Sequence, residues 1–194
     1  MSLWKSLTAT YDGTNYDKVR IDPATNSLQT VDYPHHEIHN GSHYFVTSYQ
    51  DLAINNVLQF TFQTPNTTAW VNWVWVLSAE SETLWQVYEG GTINNPLANA
   101  VVIRNNNRNS INTSDVTARY ELHANLAAAN TDVTVAAGNI IESGIIGSGR
   151  DAGSTGRDSE IVMKQNQLYV MRATATAAGY VNFNMQWYEH QNKH

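Results

Sequence analysis

From Val181 to Tyr188 the chain alternates without a break: Val181, Phe183, Met185 and Trp187 are apolar, while Asn182, Asn184, Gln186 and Tyr188 between them carry polar groups. A period of two belongs to an extended chain, whose successive side chains point to opposite sides, and it is incompatible with the 3.6-residue period of an amphipathic helix. The segment therefore reads as a strand with one buried and one wet face. Leu58, Phe60 and Phe62 alternate with Gln59, Thr61 and Gln63 in the same way and predict a second half-buried strand. The run from Trp70 to Leu77 is apolar at both parities, which predicts a strand in the middle of a sheet or one whose second face is covered by another chain.

Further strands are predicted over Val19–Asp22, Leu28–Asp32, His43–Tyr49, Thr83–Tyr88, Ala100–Arg104, Ala118–Leu122, Asn139–Ser143, Ile161–Lys164 and Leu168–Ala175. Asn40-Gly41, Pro65-Asn66, Gly90-Gly91, Asn95-Pro96 and Gly138-Asn139 fall between them, where a reversing chain needs positive or fixed φ. About ten short antiparallel strands with such turns make the expected fold all-β, a single-domain, jelly-roll-like β-sandwich. It is expected over 19–194, after an irregular N-terminal arm over 1–18. One helix-like stretch, Ala124–Ala129, is short and shows no cap. Asn enters left-handed conformations cheaply and bonds its own backbone, so Asn105–Ser110 reads as an ordered loop or an edge that meets a neighbour.

Charged residues make up only 14% of the 194, well below the usual quarter, so Asn, Gln, Thr and Ser must supply the polar surface. Such a surface suits close packing against neighbours. The formal charge is −6 and there is no basic run, which disfavours nucleic acid as a partner. With no Cys, disulfides, thiolate nucleophiles and Cys-based metal sites are excluded. Met1–Tyr11 holds one Lys and no long apolar stretch, and no window approaches a membrane span. The expectation is synthesis in the cytoplasm and no membrane partner.

The densest cluster of chemistry-bearing side chains is His35-His36-Glu37-Ile38-His39-Asn40-Gly41-Ser42-His43, just after Asp32. Imidazole is the commonest metal ligand, so His35, His36, His39 and His43 are the metal candidates. If the segment is extended, His35, Glu37 and His39 share a face; if helical, His35 and His39 do, or His39 and His43. Neither spacing matches His-Glu-x-x-His, and the favoured reading is histidines that lead into a strand, bonding backbone or neighbouring subunits, with Gly41 making the turn. Gly147–Gly156 lacks the Lys-Ser/Thr ending of a phosphate loop and reads as a surface loop, with Arg150 and Arg157 as contact candidates. Ser148 lies in no nucleophile elbow, and Glu80 with Glu82 reads as surface carboxylates. Trp70, Trp73, Trp75, Trp85 and Trp187 mostly fit core packing, although exposed members of the set would make a stacking platform for sugars. No catalytic residue, resident metal or cofactor is expected, and the chain reads as a non-enzyme.

Several segments resemble a family of virion-associated structural proteins of tailed bacteriophages, of the head decoration or cement type. They are Asp32–Tyr44, Thr64–Trp70, Glu80–Thr83 leading to Tyr88-Glu89-Gly90, Asn105–Ser110, Gly147–Arg150, Leu168–Thr174 and Trp187–His190. The matching stretches run from about Val19 to the C-terminus. The resemblance implies a compact β-rich protein that sits as a homotrimer on the head lattice, with the phage major capsid protein as partner and the virion surface as location. It brings no catalytic set. His35, His36, Glu37, His39, Arg108 and Arg150 match its recurring motif residues and, with Trp70 and Arg157, are the subunit or capsid contact candidates. The alternative expectation is a glycan-binding or host-attachment β-sandwich module of a phage particle.

Overall fold

The fold was analysed in a computed structural model that describes residues 9–11, 16–18, 33–147, 153–156 and 160–191. Backbone contacts divide the chain into two compact units, Met1–His36 and Glu37–His194. In the first, β1 (Ala9–Tyr11) pairs antiparallel with β2 (Tyr16–Lys18), so part of the segment expected to be irregular is a paired hairpin. The strands expected at Val19–Asp22 and Leu28–Asp32 lie outside the described residues, as do Arg150 and Arg157.

The histidine-rich stretch is a helix, α1 (Tyr33–Asn40), rather than an extended lead-in. Pro34 sits in its first turn, where a missing N–H costs nothing. Gly41, at φ +74°, ends it: the Gly41 N–H donates to Ile38 O at 3.1 Å and the Ser42 N–H to Glu37 O at 3.0 Å. This is the paired capping pattern that needs a left-handed residue just past the helix.

The chain then runs through β3 (His43–Leu52), β4 (Val57–Gln63), β5 (Ala69–Ala79) and β6 (Thr83–Glu89). After a long excursion come β7 (Thr92–Ile93), β8 (Asn99–Ala100), β9 (Arg104–Asn105), β10 (Thr117–His123), α2 (Leu126–Asp132) and β11 (Val133–Thr134). It closes with β12 (Ile140–Ile146), β13 (Gly153–Gly156), β14 (Ile161–Met163), β15 (Leu168–Ala175) and β16 (Gly179–Gln191). One sheet is ordered β13-β5-β16-β3-β9, with β14 also on β5, and the other β12-β6-β15-β4-β10-β8. Every pairing is antiparallel. Successive strands β3, β4, β5 and β6 alternate between sheets, and β13, β15 and β16 return between them. That interleaving of β3-β16-β5-β13 against β4-β15-β6-β12 is a jelly roll.

The core lies between the sheets. Phe60 meets Phe183 at 4.6 Å, Phe62 meets Trp187 edge-on at 4.9 Å and Trp75 meets Trp85 at 4.7 Å, so aromatic pairs from facing strands lock the layers. β5 is flanked by β16 on one side and by β13 and β14 on the other, which gives the interior position its two-sided apolar pattern predicted. Between β6 and β12 the excursion extends both sheets and folds α2 and the β7–β11 pair over the outer face of the second sheet. A smaller core of Tyr88, Leu97, Val133, Leu168 and Val170 forms there. The face of β4 read as wet is consequently covered: Gln59 and Thr61 are buried.

Two local expectations shift. Within Ala100–Arg104 only the ends are paired, in β8 and β9. The helix near Ala124 is Leu126–Asp132 and is capped, since Asn125 Oδ1 accepts from the Ala128 N–H at 2.9 Å. Among the described residues no helix is long and apolar enough to cross a membrane.

Candidate interaction site

The asparagine run and α1 form one assembly. Helices leave their last carbonyls without intrahelical donors. Here Asn107 Nδ2 donates to His39 O at 3.2 Å, Asn112 Nδ2 to Asn40 O at 3.3 Å, and Asn105 Nδ2 to Gly41 O at 2.8 Å. The loop is thus ordered, and what it meets is its own chain's helix end. Asn106 Nδ2 lies 2.6 Å from His43 Nδ1; an amide N–H can only donate, so Nδ1 accepts and the ring's proton is on Nε2.

Beyond His43 lies a polar ladder across the outer face of the first sheet. The Tyr188 hydroxyl donates to Glu160 Oε2 at 2.5 Å, and Asn72 Nδ2 donates to the Tyr188 oxygen at 2.6 Å. Burial lowers the His43 pKa, against the raising effect of the Glu160 and Glu37 carboxylates. Of the sequence candidates, His35, His36, His39 and Arg108 are exposed, Trp70 is half-buried, and Glu37 and His43 are buried. Glu37 accepts from the Ser42 hydroxyl. Among the described residues, the atoms close enough to share a cation belong to Glu121, His123 and Asp132, within 4.8 Å of one another.

That second centre lies under α2 and was not singled out in the sequence. Arg172 of β15, 2% exposed, donates from Nε to Gln59 Oε1 at 2.6 Å, from Nη1 to Asn130 Oδ1 at 2.9 Å and from Nη2 to Val133 O at 2.7 Å. Its guanidinium also lies 5.5 Å from the Tyr88 ring centre. Because Gln59 Oε1 faces a cation, its amide nitrogen must face the other way, 3.4 Å from His123 Nε2 and 3.4 Å from Ala129 O. His123 Nε2 therefore accepts, and the ring proton sits on Nδ1, 3.6 Å from Asp132 Oδ2. Nδ1 is the atom that a metal between His123 and Asp132 would have to bind. Moving its proton to Nε2 would set N–H against N–H2 at Gln59, and Arg172 prevents the amide from turning over. The donor set does not fit a metal; it fits a clamp that ties β4, β10 and β15 to α2 and β11. Burial lowers the His123 pKa, Glu121 and Asp132 raise it, and Arg172 lowers it.

The middle of the first sheet's outer face is uncharged. Thr47 and Tyr49 of β3, Val74, Val76 and Ser78 of β5, and Asn182, Asn184 and Gln186 of β16 lie side by side in register there. Tyr49 is 71% exposed, and its ring centre is 6.4 Å from that of Tyr180. Trp73, Trp75, Trp85 and Trp187 are all buried, so no tryptophan platform forms from them. No family model, curated protein or solved structure matches this chain.

Proposed function

We propose that this protein is a non-enzymatic virion protein of a tailed bacteriophage that decorates the head and cements its lattice. The observation that carries the reading is the broad uncharged face of β3, β16 and β5, on which threonine, tyrosine, valine and amide side chains alternate. A surface of that kind is desolvated cheaply, unlike one bearing lysines and glutamates, and its amides give directional hydrogen bonds to a shell. A homotrimer that presents the face several times to the major capsid protein gains avidity without any single strong contact. Exposed His39 and Arg108, next to the asparagine loop, supply a polar rim. Purified protein mixed with heads that lack it should cosediment, and Val76→Lys, at a 45% exposed position, should weaken cosedimentation without unfolding the chain. Equal binding by the variant removes this face from the account.

A second reading, a glycan-binding or host-attachment module, draws on the exposed Tyr49–Tyr180 pair with Asn182 beside it. Aromatic rings flanked by amides stack on and hydrogen-bond sugars. A glycan array separates the two readings: specific binding that Tyr49→Ala abolishes favours the module, and an empty array favours the cement role.

A further inference from the structure

We propose that the cavity at the end of the sandwich beside Tyr44 receives a basic side chain, an arginine or lysine presented by a peptide segment of a partner protein. The cavity holds about 480 Å3 and is walled by Tyr44, Ala69, Glu189 and His190 together with the loop residues Ile111 and Asp115. Glu189 is a fixed negative charge. Its Oε1 accepts from the Trp187 indole N–H at 2.9 Å and from the Ser114 hydroxyl, and its Oε2 accepts from the Asp115 backbone N–H at 3.0 Å. Asp115 is exposed beside it, and among the described residues neither carboxylate has a lysine or arginine partner.

The Tyr44 hydroxyl shares its one proton between Gly41 O at 3.3 Å and Thr113 O at 3.1 Å. Its pKa is pushed up to about 12, by burial first and then by the Glu189 and Asp115 carboxylates. Burial opposes any charge there, whereas the Glu189 and Asp115 carboxylates, the lesser causes of that rise, attract a cation. At the rim stands the apolar side chain of Ile111, 96% exposed. Arginine and lysine combine an aliphatic stem with a charged head, so the stem would lie on Ile111 while the head reaches the carboxylates. A phosphate or carboxylate ligand would be repelled. A bare metal ion would leave most of the space empty. This pocket stands independently of the virion reading, because its test needs no capsid.

The test is an amide NMR titration of the full chain with N-acetyl-arginine amide, run beside the uncharged N-acetyl-citrulline amide. The arginine probe should move signals of Ile111–Asp115 and Glu189–His190 with a Kd of about 1 mM, as suits one side chain without its peptide. Asp115→Asn should weaken it about fivefold, and Ile111→Ser, which leaves the charges in place, should weaken it as well. No movement well above that concentration overturns the proposal. So do equal binding of citrulline, movement centred on another surface, or an Asp115→Asn variant that binds like the parent.

Discussion

Replacing Arg172 by Met should destabilise the protein by an amount that can be worked out from its partners. The side chain makes three hydrogen bonds, to Gln59 Oε1, Asn130 Oδ1 and Val133 O. Asn130 is exposed, so water takes over there, but Gln59 and Val133 are fully buried and their acceptors are stranded. Each stranded acceptor costs about 1–3 kcal/mol. Methionine keeps the stem packed and no longer buries a cation, which offsets part of that cost and leaves a net loss of about 2–4 kcal/mol. For a chain of this size the melting temperature should fall by roughly 4–16 °C. Urea denaturation should show the lower midpoint with an unchanged slope. The imidazole nitrogens of His123 give a second readout: with Gln59 released, the Nδ1–H tautomer should lose its dominance. A variant within about 0.5 kcal/mol of the parent, with the tautomer intact, would refute the clamp.

Acid should loosen this region and the junction of α1 with the asparagine loop. Burial holds His123 and His43 below the ordinary histidine value, so the unfolded chain takes up protons first as the pH drops. The stability their neutral rings supply is therefore complete above about pH 6.5 and is lost as pH falls from there through the folded values. Urea midpoints should decline over that window, and less steeply in His123→Gln; identical slopes would show that His123 supplies none of the effect. Added zinc or chelator should leave the melting temperature unchanged, whereas stabilisation by zinc that disappears in Asp132→Asn would overturn the tautomer argument. Gly144→Ala should cost about 1–3 kcal/mol, because its Cβ would stand 2.8 Å from Trp85 Nε1 while Trp85 is pinned edge-on against Trp75. A neutral result by calorimetry would mean that the indole can move.

The strands were legible where one face packs and the other is wet. Val181–Tyr188 falls inside β16, and Asn182, Asn184 and Gln186 lie on the uncharged face. Leu58–Gln63 falls inside β4, yet Gln59 and Thr61 do not face water, because a polar side chain answered from within, as Gln59 is by Arg172, and one answered by solvent look the same in a sequence. α1 was hidden by its composition: histidines carry no apolar stripe, and the signals present were Pro34 in the first turn and Gly41 past the last. The asparagine run reads as an ordered loop or an edge that meets a neighbour, but its partner, the end of α1 about 70 residues earlier, is a tertiary fact. The Gln59–His123–Arg172 centre left no local trace, since its members come from three strands brought together by the jelly roll and its excursion.

The most direct test of the proposed role is cryo-electron microscopy of heads that lack the protein, after incubation with the purified chain. Ordered density on the shell, with the β3–β16–β5 face turned toward the capsid subunits, is the result expected. Bare shells at saturating protein, or density confined to the tail, would contradict the cement role.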